Sequence, residues 1–171
     1  MIALRDVTWG AVCVALGLVV PVLFHAVGLG ATFLPMLLPL LAAGLLLPAL
    51  PAALAGMITP LLSSFLTGMP PMAPPIALVM AVEGAVMAAV ASLLHRRRGW
   101  DVYRAAVAAV ALERAAMVLL VMALAPLFGL PGRLAALGTL VQGLPGVVLL
   151  LTVVPFLVGR LEKRGADHGR L

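Results

Sequence analysis

The chain has 171 residues, 64% of them hydrophobic and only 10% charged, with a formal net charge of +5. A water-soluble domain of that size needs far more polar surface, so the composition excludes one and points to an all-α membrane protein with short loops. The basic residues stand at the ends of apolar runs, where membrane topology puts them, and that placement argues against nucleic acid as a partner.

The first apolar run predicts a span from about Val7 to Val27. Its one cysteine, Cys13, rules out an intrachain disulfide and a cysteine metal cluster, and reads as a small packing residue. Ala11 and Ala15 are four apart and share a helix face. Such a smooth stripe either packs helices within the chain or docks a second membrane protein. Spans two and three are expected from about Phe33 to Leu47 and Ala49 to Leu66. Pro35, Pro39, Pro48, Pro51 and Pro60 predict bent or re-entrant shapes there, which survive only when buried in protein or lining a cavity. The next loop, Thr67 to Pro75, carries four prolines in nine residues. It is stiff, and reads either as a cap over a pocket or as a tight connector.

Span four is expected from about Ile76 to Leu94, with Ala77, Ala81, Ala85 and Ala89 as a second small-residue ridge. Span five runs from about Arg104 to Leu127, and span six from about Gly138 to Arg160. Near the start of span six stand Gln142 and Gly143-Leu-Pro-Gly146. That run is either an interruption that opens backbone groups to a ligand or an ordinary helix start with proline in its first turn. The whole chain, 1–171, is read as a single integral membrane domain of six helices.

With the N-terminus in the cytoplasm, the inner segments carry Arg5, Arg96, Arg97, Arg98, Arg104, Arg160, Lys163, Arg164 and Arg170. The outer loops carry only Arg133, a strong positive-inside bias that puts both termini in the cytoplasm. Trp9, Trp100 and Tyr103 then fall at the inner interface, where amphipathic rings prefer to lie.

Three ionisable residues fall within spans: Glu83, Glu113 and Arg114. Each is expensive in a bilayer unless paired or hydrated, so each is a functional candidate. Glu83 lies nearly opposite the alanine ridge, on a face with Met80 and Met87, which suits a pocket for a small, partly apolar ligand. Glu113 and Arg114 are neighbours, so one side chain faces a cavity while the other pairs elsewhere, or Arg114 forms a structural ion pair with Glu83 or Glu113. An enzyme is not expected. By this topology His25 lies on the outer side and His95 and His168 on the inner side, none of them mid-membrane, and Ser63 and Ser64 have no evident base. No cofactor is expected.

The order of these motifs resembles a known family. Phe24-His25-Ala-Val-Gly-Leu-Gly with Phe33-Leu-Pro35-Met36, Leu61-Leu-Ser63-Ser64 with Gly68-Met69-Pro70-Pro71, Met80-Ala-Val-Glu83-Gly, and Leu144-Pro145-Gly146 before a charged tail are similar to the substrate-binding S components of energy-coupling factor (ECF) transporters. The resemblance spans residues 7–163 and rests on order and spacing rather than on one motif. It implies a multi-pass plasma-membrane subunit that binds a vitamin or cofactor precursor from outside. It also implies a transmembrane coupling subunit and two cytoplasmic ATPases as partners. The family's Ala-x-x-x-Ala docking motif matches Ala11 and Ala15. The implied ligand region holds Glu83, Arg114, Gln142, His25, Met80 and Met69. The chain departs from the family at Leu37, where relatives often have histidine, and at Glu113-Arg114, where they commonly have Gly-Arg. A stand-alone secondary transporter using Glu83 and Glu113 for proton coupling is the alternative reading, and an intramembrane enzyme relying on Ser63 or Glu113 is a third.

Overall fold

The computed structural model describes residues 3–129 and 131–167, and every regular element among them is helical. His168 and Arg170 of the expected inner tail lie outside the described residues. The helices are α1 (Leu4–Ala26), α2 (Gly30–Phe33), α3 (Leu37–Leu46), α4 (Ala49–Thr67), α5 (Ile76–Ser92), α6 (Val102–Leu124), α7 (Gly132–Gln142) and α8 (Leu144–Asp167). A wider π turn, Leu93–Arg97, extends α5, and a tighter 3-10 turn, Ala125–Phe128, extends α6. Helices α1, α4 and α8, and α5 and α6 with their extensions, are each long and apolar enough to cross a membrane; Gly30–Leu46 forms a shorter apolar segment.

The burial pattern is inverted relative to a soluble protein. Large apolar side chains face outward, Phe65 at 87% exposure being the extreme, while Thr59, Ser63, Ser92, Glu83 and Glu113 are buried. In lipid this is the stable arrangement, because polar groups must find partners inside the protein.

Two departures from the sequence expectation concern where helices break. The expected second span is split: Leu34, with φ of 50° and ψ of 46°, takes the left-handed conformation and separates α2 from α3. A bulky residue meets a steric penalty in that region, so packing must hold it there. The expected sixth span is also two helices, joined at Gly143, and α7 begins at Gly132, before the expected Gly138. Pro145 stands in the first turn of α8, so the Gly143–Gly146 run is both an interruption and a helix start.

Helices α3 and α5 form the centre. Leu37, Leu40, Leu41 and Leu45 of α3 are fully enclosed, between α1, α5 and α8. Two glycine contacts bring α5 close to its neighbours. A Cβ on Gly56 would stand 2.3 Å from the Gly84 carbonyl oxygen, and one on Gly44 would stand 2.7 Å from that of Ala88. Pro60 has no N–H for the Gly56 carbonyl, and it is against that carbonyl that Gly84 packs. The buried small ridge of α5 is therefore Ala77, Ala81, Gly84, Ala88 and Ala91. The expected continuation through Ala85 and Ala89 is only half-buried, because a four-residue step drifts off a 3.6-residue face.

Helix α1 buries Gly10, Cys13, Gly17 and Pro21 against α3 and α4. Ala11 and Ala15 lie on its exposed side. The two small-residue stripes thus differ: Ala77 and Ala81 pack within the chain, whereas Ala11 and Ala15 are left unpartnered by it.

The bundle has two unlike ends. At the arginine end the chain turns are tied off by polar side chains. Ser92 Oγ donates to the Leu47 carbonyl at 2.7 Å, and Arg96 donates to the Leu46 carbonyl at 2.7 Å, satisfying groups at the end of α3. His95 contacts the Trp100 carbonyl at 2.7 Å and Glu162 at 2.8 Å, joining the α5–α6 turn to α8. At the other end, the proline end, the helices splay around a hollow.

Candidate functional site

The hollow at the proline end is built by four segments. The first is the α1–α2 turn. Phe24 and Phe33 pack with centroids 5.9 Å apart, and the Leu29 N–H donates to the Phe24 carbonyl. Gly30 lies beneath the His25 ring, where an added Cβ would come within 2.3 Å of the imidazole. The second is Leu34, whose side chain fills a notch made by Gly143 and Gly146 at the α7–α8 joint. Cβ atoms there would stand 3.3 and 2.7 Å from it. That notch is the packing that holds Leu34 in its left-handed conformation.

The third segment is the proline loop. Ser63 Oγ donates to the Met69 carbonyl at 2.7 Å, and Thr67 Oγ1 donates to the Ser63 carbonyl at 2.8 Å while accepting from the Met69 N–H at 3.2 Å. Gly68, at φ of 73°, makes the turn that allows this. Pro70, Pro71, Pro74 and Pro75 then form part of the cavity wall. Ser63 is thus committed to holding the loop, and nothing in these contacts activates it as a nucleophile.

The fourth segment is the charged floor. Glu113 is fully buried, and Arg114 folds back onto it with two hydrogen bonds: Nε to Oε2 at 2.6 Å and a terminal nitrogen to Oε1. Sequence spacing left open whether Arg114 faces a cavity or closes an ion pair. It does both, because the guanidinium reaches back to the preceding carboxylate with one edge while its other terminal nitrogen lies next to Gly143 on the cavity side. Glu83 is 5% exposed, lines the same cavity, and interacts electrostatically with both Glu113 and Arg114.

The cavity encloses about 580 Å³, within the range of pockets that hold small organic ligands. His25, Met69, Met80, Glu83, Arg114 and Gln142 all line it, although they come from several helices and a loop. The remaining wall is mostly apolar. Sequence reading missed the wall made by Phe128, Ala135 and Thr139, and missed Leu34. The first group was detectable: Ala135, Thr139 and Gln142 follow a helical 4–3 spacing after Pro131, which marks a helix start. Leu34 carried no such signal, since nothing about leucine announces a left-handed residue.

A bundle of apolar helices with a cavity at one end, apolar walls and a few convergent polar groups has the form of a multi-pass membrane protein with a small-molecule pocket. The family comparison agrees. The sequence profile described as "ECF transporter, substrate-specific component" matches residues 5–158, most of the chain. The chain belongs to that family: it is a substrate-specific membrane subunit of the ECF transporters, a family of transporter components rather than of enzymes. No curated protein and no solved structure matches it.

Proposed function

We propose that this chain captures a vitamin or related micronutrient at the outer face of the plasma membrane and delivers it for ATP-driven uptake by a coupling subunit and two cytoplasmic ATPases. The observation that carries the reading is the convergence of Glu83, Arg114, Gln142, His25, Met80 and Met69 on one cavity in a chain of this family. Six crossings are obtained if α2 and α3 together make one. The helical rise of α3, Leu37–Leu46, is only about 15 Å at 1.5 Å per residue, short for a bilayer, with α2 beyond the Leu34 break and neighbouring helices shielding both. The arginine end then lies in the cytoplasm, by the positive-inside bias, and the cavity opens outward.

In this reading the proline loop gates the cavity, with Ser63 and Thr67 as its hinge anchors. Ala11 and Ala15 dock the coupling subunit; their exposure on α1 supports this, since internal packing leaves them uncovered. The test is co-expression with a coupling subunit and ATPases, followed by pull-down and a thermal-shift panel of micronutrients. Recovery of the complex and stabilisation by one compound are expected. Ala15→Leu should abolish pull-down while leaving the stabilisation intact. A chain that recovers no partner and responds to no compound, or proteoliposomes that take up substrate on a proton gradient without ATPases, would overturn the assignment.

A further inference from the structure

We infer that the cavity selects a ligand with a protonated nitrogen on an apolar body, and that Glu83 is the counter-ion for that nitrogen. The inference rests on reading the cavity as the substrate site and adds the ligand's charge and shape.

The argument is one of charge pairing. The ionisable groups on the cavity wall are His25, Glu83 and Arg114, with Glu113 directly behind Arg114. Glu113 has no solvent exposure, and both its oxygens are taken by the Arg114 guanidinium. That pair is a planar fork on a carboxylate, and the Glu83 carboxyl also meets Glu113 side chain to side chain, so the three groups form one cluster. The floor therefore holds two carboxyl groups against one guanidinium. Of the two, Glu83 is the one that lines the hollow, buried in the wall with Glu113 on its inner side.

An anionic ligand finds little here. The Arg114 charge is already met by Glu113, and an incoming negative group would stand as a third acid group beside two carboxyls. A cation finds a desolvated carboxyl whose only nearby positive charge is shared. In a site that excludes water such a contact is short and strong. The free edge of Arg114 beside Gly143, together with Gln142, can donate to a neutral acceptor on the ligand without adding to the charge balance. The rest of the wall, including Leu34, Met80, Met117 and Phe128, is apolar and suits a hydrocarbon or aromatic body.

The test uses the purified full chain in lipid nanodiscs and three probes of matched shape: 2-(1-naphthyl)ethylamine, 2-(1-naphthyl)ethanol and 1-naphthylacetate. Titration calorimetry is expected to rank the amine about 10-fold or more tighter than the alcohol, with the carboxylate weakest. Glu83→Gln is expected to erase the advantage of the amine over the alcohol. The ranking on the native chain needs no variant, so it stands even where Glu83→Gln does not fold. Equal affinities, a tighter carboxylate, no binding by any probe, or a Glu83→Gln chain that still prefers the amine would each overturn the inference. Pull-down with a coupling subunit and ATPases is read in parallel. A complex that assembles while the amine shows no preference removes only the charge assignment; failure to assemble removes the transport reading itself.

Discussion

The two ends of the bundle solve the same physical problem in opposite ways. Both must satisfy polar groups where helices stop, in surroundings that offer little water. The arginine end does so within the chain, with Ser92 and Arg96 on the last carbonyls of α3 and His95 bridging to Glu162. The proline end does so only in part. Ser63 and Thr67 pin the loop, Arg114 pins Glu113, and Glu83 is left facing a hollow of about 580 Å³. One end is tied off within the chain, whereas the other leaves a hollow with a buried carboxyl on its wall.

The sharpest way to break this contrast is at the floor of the hollow. Arg114→Leu strips a fully buried Glu113 of its partner and should cost about 3–5 kcal/mol in chemical unfolding. Changing both residues to leucine should recover most of that loss, because no unpaired charge remains. A single variant as stable as the parent would mean that Glu113 does not depend on the Arg114 charge.

Next in size is the packing that both ends share. Gly56→Ala places a methyl 2.3 Å from the Gly84 carbonyl oxygen, a backbone atom that cannot swing away. It should cost about 1–3 kcal/mol in the same assay. Gly138→Ala is the control: nothing lies within 4 Å of the added carbon, and stability should not fall. Equal effects at the two glycines would show that the α4–α5 contact is not the tight point of the bundle.

The smallest effect separates binding from stability. Ser63→Ala removes the bond to the Met69 carbonyl and should cost about 1 kcal/mol in unfolding, the usual worth of one hydrogen bond. Its clearer signature is faster ligand release, by roughly 5-fold, with pull-down of the coupling subunit unchanged. Loss of pull-down instead would tie the proline loop to the arginine end and dissolve the contrast.

Much of this was legible in the sequence for a simple reason. Apolar length fixes which segments are long enough to cross, and Glu83 and Arg114 stand out because a charge within such a segment is costly. Helix breaks were less legible. Gly143 advertised one, but Leu34 did not, since its conformation is imposed by the notch at Gly143 and Gly146 rather than by its own preference. The alanine repeat of α5 misled for a geometric reason: identity of residues every four positions is not the same as sharing a face over several turns.

By itself, then, the sequence determined the solvent this chain folds in, its helical class and the short set of polar residues worth watching, because all three follow from local composition and the cost of burying charge. Only the tertiary structure decided which of those residues are already paired. Glu113 and Arg114 close on one another, Ser63 closes on Met69, and Ala77 and Ala81 close on the bundle, while Glu83 reaches Glu113 from the wall of the hollow and Ala11 and Ala15 are left uncovered. Glu113–Arg114 and Ser63–Met69 are near neighbours in the chain, but whether such neighbours close on one another depends on how distant helices pack around them, and no local pattern encodes that.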